Sequence, residues 1–192
     1  STLALTLCLA FQARGLAAQS EELRGHINHA LDSARPALMA HLKQASMRHM
    51  RPGGLALVML AAIHDGVDQD DPAMKKAIKR LAAARGAQTY DVALRLMVME
   101  LLPSFPNRAA LARKDVKKLL SHRDEGAFGY MAHTGQWDLS NTQYAALGLR
   151  SAHAMQAPIA RKVWTGLAKR ISEQQDATGC FGYQKLNSGF RG

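Results

Sequence analysis

A five-residue pattern, glycine-x-phenylalanine-glycine-tyrosine, occurs twice in this chain. It reads Gly126-Ala127-Phe128-Gly129-Tyr130 and returns 53 residues on as Gly179-Cys180-Phe181-Gly182-Tyr183. Each copy closes a basic, helix-patterned segment. Recurrence at a period of roughly 50 residues marks a repeat array, in which one helical unit cannot bury its apolar face alone and stacks on its neighbours.

Between the turns, two kinds of helix alternate. Residues 55–63 (LALVMLAAI), 90–102 and 142–155 are apolar nearly throughout, and a helix without a polar face must be covered all round. The segments starting near 21, 72, 108 and 158 are amphipathic, and the last three carry a face rich in lysine and arginine. In the second of these, residues 73–84, Met74, Ala77, Ile78 and Leu81 form the stripe, with Asp71 as cap and Pro72 in the first turn. Pro103 and Pro158 punctuate the later helices. Two layers of helices satisfy this alternation, the apolar ones inside, and no strand pattern competes with it. The expected fold class is all-α, built as an α/α barrel or solenoid of helical hairpins.

The amino terminus supports two readings. Residues 3–10 (LALTLCLA) and the small residues ending at Ala18 have the length and flank of a secretory signal, which makes 1–19 a signal remnant and the mature protein exported. The other reading is a buried N-terminal helix. From Ser20, read as a cap, Ile27, Leu31, Leu38 and Leu42 fall at helical spacing, with Pro36 able to kink or divide the segment. No stretch is long and apolar enough to be a transmembrane span.

The formal net charge is +10, which fits either a solvated outer face or an anionic partner. The basic residues lack interleaved aromatics, so no nucleic acid is expected as partner. Two cysteines, Cys8 and Cys180, build neither a disulfide framework nor a paired-cysteine zinc motif.

Gln175-x-x-x-Gly179-x-Phe181 resembles the glutamine-tryptophan repeat of squalene and hopene cyclases, which share an α/α-toroid with protein prenyltransferase β subunits. His122-x-x-x-Gly126-x-Phe128 is a second copy with the glutamine replaced. Gly53-Gly54-Leu55-Ala56-Leu57, the run from Asp70 to Ala77 and that from Asn141 to Leu147 also read like repeat units of that group, especially of secreted bacterial proteins carrying prenyltransferase and squalene oxidase repeats. The resemblance covers roughly residues 20–183 and implies an incomplete toroid over 20–192, in which the glutamine caps a helix end and the aromatic ring stacks on it. A closed ring takes about six hairpins, or roughly 300 residues at this period. This chain supplies about half a ring, with the next inner helix due near position 194. An uncovered apolar edge on the last inner helix is therefore expected, and with it a partner, either the remainder of the toroid or a flanking domain.

Chemistry is less specified. Asp68-Gln69-Asp70-Asp71 spells the D-x-D-D acid motif of class II triterpene cyclases, which need a protonated carboxylic acid aimed into an apolar cavity. Here the motif opens a lysine-bearing helix, where loop and cap are the competing role. The position at which such an acid should stand is nearer Asp138. Arg95, Glu100, Arg150 and His153 interrupt otherwise buried helices. Such groups either line a cavity for an apolar or anionic ligand, or pair with one another and sit at exposed helix ends.

Metal binding is not expected. Asp176 and Cys180 do not match the prenyltransferase zinc spacing; His26 and His29 share a helix face without further ligands, and His41 and His49 lie too far apart on one helix. No serine nucleophile elbow, phosphate loop or nucleotide fingerprint occurs, and no cofactor is implied. With only 6% aromatic residues, the chain is poor in the rings that stabilise carbocations. The expected function is a non-catalytic scaffold or ligand-binding segment; the alternative is part of a triterpene cyclase.

Overall fold

The computed structural model describes residues 2–43, 50–132 and 134–183, with residues 2–19 in backbone alone. It divides into two bodies, residues 1–41 and 42–192.

The first body belongs to a single helix, α1 (Thr2–Lys43), whose last residues fall in the second. The expected cap at Ser20 does not appear, because the helix runs through it. Gly15 and Gly25 are isolated within good helix formers, so nothing interrupts the helix, and Pro36 is carried inside it without dividing it. Leu23, Ile27 and Leu31 form an exposed apolar stripe along it. Among the described residues, no helix is long and apolar enough to cross a membrane.

The second body is two layers of helices. In one row lie α2 (Pro52–His64), α4 (Thr89–Leu101) and α6 (Leu139–Ala154), with α4 in the middle packed on both neighbours. In the other, α3 (Pro72–Ala83) packs on α2, α5 (Arg108–Ser121) on α4 and α6, and α7 (Arg161–Ser172) on α6. The starts follow local chemistry. Pro52 and Pro72 stand at first-turn positions, Asp71 and Asp138 cap α3 and α6, and Asn107 takes a left-handed φ of 53° before α5. Lys75, Lys76 and Lys79 of α3, Arg113, Lys114, Lys117 and Lys118 of α5, and Arg161, Lys162 and Lys169 of α7 are exposed, giving the second row its basic face.

Burial separates the middle helix from its neighbours. Residues 91–96 of α4 are all buried. By contrast α2 exposes Leu57 (55%) and Ala61, and α6 exposes Gln143 and Arg150. The expectation that every apolar helix is covered all round thus holds for residues 91–96 of α4 and fails for α2 and α6, which stand at the ends of the row with a neighbour in it on one side.

A second correction concerns strands. Arg123–Asp124 (β1) and Ala127–Phe128 (β2) pair antiparallel, Arg123 opposite Phe128 and Asp124 opposite Ala127. Glu125 (φ 47°) and Gly126 (φ 97°) form the two-residue loop, and positive φ at both positions is what a tight hairpin requires. The strands are too short for an alternating pattern to be legible. The second turn closes differently, by a single bridge between Gln175 and Phe181. There the Asp176 carboxylate accepts bonds from the Thr178 hydroxyl, its amide and the Cys180 amide, which stabilises a longer loop.

Candidate functional site

Each glycine-phenylalanine corner receives the start of an apolar helix. The Thr89 amide, first in α4, donates to the Tyr130 carbonyl at 3.0 Å, and the Leu139 amide, first in α6, donates to the Tyr183 carbonyl at 2.9 Å. The first corner is sealed. Phe128 is fully buried, its amide donates to Thr142 Oγ1 at 3.0 Å, and its carbonyl accepts from the Asp138 amide at 3.3 Å. Gly126 lies against the Gly166 carbonyl of α7, and Arg170 of that helix donates to the Glu125 carbonyl at 2.8 Å. The second corner is open: Phe181 is 52% exposed, and Gln175 Nε2 donates to the Gly179 carbonyl of its own loop at 3.1 Å. Gln175 thus closes its own turn, where the resemblance implies a cap on a helix end.

His122, at the glutamine's place in the first corner, is buried. Its Nδ1 lies 2.9 Å from Thr89 Oγ1, whose own proton goes to the Gly129 carbonyl, so Nδ1 carries the donated hydrogen. Burial lowers the imidazole pKa below its ordinary 6.5, and the charge of Lys118 adds to the effect. The ring is therefore neutral, a hydrogen-bonded strut with no bonded partner at Nε2 among the described residues.

The carboxylates singled out by sequence are engaged in turns and caps. Asp71 Oδ1 accepts from the amides of Ala73 (2.7 Å) and Met74 (3.3 Å). Asp68 Oδ1 accepts from the Asp70 amide at 2.8 Å, and the exposed Asp70 pairs with Lys75 at 2.8 Å. The hydrogen bond and charge of Asp70 push the Lys75 ammonium pKa up. A carboxylate on an exposed lysine is the opposite of a protonated acid in an apolar cavity. Asp138 is buried at the start of α6, with Oδ1 accepting from the Asn141 amide and Oδ2 from Asn141 Nδ2, both at 2.7 Å.

Arg95, Glu100, Arg150 and His153 do not share a cavity. Arg95 is enclosed, bidentate to Asp115 of α5 (Nε to Oδ2 2.7 Å, Nη2 to Oδ1 2.5 Å), and Nη1 donates to the Ala84 carbonyl at 2.6 Å. Burial raises the Asp115 pKa, opposed by the guanidinium. Arg150 reaches Glu100 at 3.1 Å across α4 and α6, and the exposed His153 stands edge-on to Trp164 at 6.2 Å.

Two anchors have no clear sequence signature. Asp115 sits among lysines and reads as solvated. Asp91 is buried and accepts from the amides of Gly53 (2.9 Å), Ala87 and Gln88 (both 3.2 Å), tying α4 to the start of α2; its one signal is the spacing three residues after Gln88.

What remains open is a groove of about 560 Å³ along α6. Its floor is Leu139, Thr142, Gln143, Ala146, Leu147 and Arg150, a three-turn helical stripe; its far wall is Trp164 and Ile171 of α7 with Phe181 at the end. Arg150 is its one charged member. His26, His29 and His41 are exposed, and His49 lies outside the described residues, among which no cluster of three metal-ligating side chains occurs. The chain matches no protein-family model, no characterised protein and no solved structure.

Proposed function

We propose that the chain is a repeat segment of an α/α-toroid, resembling prenyltransferase and squalene oxidase repeats, that works as a non-catalytic scaffold and receives an apolar helix or ligand in the groove along α6. The observation that carries this is the groove itself: a preformed stripe three turns long, with aromatic rings at its far wall, left uncovered among the described residues while the equivalent stripe of α4 packs against α6. The twin amide-to-tyrosine bonds at Thr89 and Leu139 support the repeat reading. The caps and ion pairs that engage Asp68, Asp70, Asp71, Asp138 and Arg95 speak against the cyclase alternative, as does a groove with two aromatic rings, Trp164 and Phe181.

Incubating the protein with squalene and analysing for cyclic products tests the choice. No product is expected; product that disappears on Asp70→Asn would establish the cyclase instead. We place the mature protein outside the cytoplasm on the sequence of residues 3–19 alone. Export predicts a mature chain opening near Gln19, read by N-terminal sequencing of protein recovered from the medium or periplasm.

A further inference from the structure

The contact of α6 on α4 supplies a packing rule. Counted from the first residue of each helix, the tenth position of α6, Gly148, meets the fifth of α4, Ala93, and the sixth of α6, Tyr144, meets the second of α4, Tyr90. Extended along the row, the fifth and ninth positions receive the next helix and the sixth and tenth insert into the previous one. In α4 these receiving positions are Ala93 and Met97; in α6 the inserting positions are Tyr144 and Gly148. A Cβ on Gly148 would stand 2.7 Å from the Ala93 Cα, and the Tyr144 ring lies 4.6 Å from that of Tyr90. In α2 the receiving positions, Ala56 and Leu60, are buried, as the rule requires.

The two ends of the row are left unused in complementary fashion. At one end α6 exposes its receiving face, where Gln143 and Leu147 line the groove. At the other end α2 exposes its inserting face, Leu57 and Ala61. Ala61 occupies the tenth position, where α6 carries Gly148, so the small residue needed for close approach is already present. The two faces lie on different helices of the same body, and each continues an interface already made between α4 and α6.

We propose that α2 of a second copy of this chain seats in the groove along α6, extending the row of apolar helices from one molecule into the next. The contact is heterologous: a pair of molecules that makes it twice closes into a two-fold dimer, and one that does not close grows into longer assemblies. This rests on the scaffold reading above and names its partner. The exposed stripe of α1, Leu23, Ile27 and Leu31, is the competing occupant.

Site-directed crosslinking of the full chain tests this, with Cys8→Ser and Cys180→Ser removing the native thiols. Ala61→Cys and Gln143→Cys, placed in separate molecules and mixed, should form an intermolecular disulfide, because the pair reproduces the Gly148 to Ala93 approach. Lys79→Cys mixed with Gln143→Cys should not. Sedimentation of the unmodified protein should give a dimer or larger species, and Leu57→Glu or Leu147→Glu should each shift it to monomer with helical circular dichroism retained. A monomer at all concentrations overturns the proposal, and so does crosslinking of Gln143→Cys to Ile27→Cys in place of Ala61→Cys. Neither outcome touches the squalene assay, so a failed partner and a failed scaffold reading are told apart.

Discussion

The backbone N–H of Leu139 donates to the carbonyl of Tyr183 at 2.9 Å, repeating in the last corner the bond that Thr89 makes to Tyr130 in the one before. Both donors are first residues of apolar helices, whose opening amides have no intrahelical acceptor. The repeat thus satisfies a group every helix start leaves orphaned, using a corner from the following unit.

Thr89 serves this junction three ways, through its amide, its hydroxyl bond to the Gly129 carbonyl and its acceptance from His122. Thr89→Val keeps the shape and deletes the hydroxyl, leaving two buried polar groups without it. Urea denaturation should register a loss of about 1–3 kcal/mol, most of it restored in Thr89→Ser.

The Arg95–Asp115 pair joins α4 to α5 in a site with both side chains at most 5% exposed. Asp115→Ala strands a buried guanidinium and should destabilise by about 3–5 kcal/mol. Replacing both partners with Met and Leu should recover most of that loss, which a double-mutant cycle in denaturant would measure.

Gly148 of α6 lies directly against Ala93 of α4. Gly148→Val should cost about 1–3 kcal/mol through overpacking against Ala93, detected as a lowered thermal midpoint. The partial rescue expected from Ala93→Gly would show that the two positions touch.

Acid should weaken the fold through His122. Its folded pKa lies below the ordinary 6.5, so between those values the unfolded chain binds more protons and stability falls as pH falls. Above 6.5 the residue contributes no pH dependence. His122→Gln, which retains a donor for Thr89, should flatten this slope relative to the parent in denaturation curves taken below pH 6.5.

Loss of the Asp71 cap should be modest. Asp71→Ala removes bonds to two amides and should cost about 1 kcal/mol, whereas Asp70→Asn breaks an exposed pair with Lys75 and should leave the urea midpoint nearly unchanged.

How much of this was legible depended on whether the chemistry was local. Helices α2 to α7 fall within a few residues of where Pro52, Asp71-Pro72, Pro103 and the apolar periods place them, because caps and breakers act within one turn. The cap at Asp71 belongs to the same class, whereas Asp138, read as the place nearest a catalytic acid, caps α6. Asp115 was hidden because its neighbours Arg113, Lys114, Lys117 and Lys118 make that helix read as solvated, while its partner Arg95 stands 20 residues away in sequence. The open groove could be anticipated from the count of apolar helices, but the exposed face of α2 could not, since Leu57 and Ala61 look no different from the buried residues beside them. The continuity of α1 through Ser20 escaped for a related reason: a serine followed by Glu21 and Glu22 has the local chemistry of a helix start, and here the helix runs through it.

The amide-to-tyrosine bond ties the first turn of α4 and that of α6 each to a corner about 40 residues further along the chain. Chains emerge from the ribosome amino end first, so α4 must wait for Tyr130, and α6 for Tyr183, before its opening turn is secured. Assembly during translation therefore trails synthesis by one whole unit.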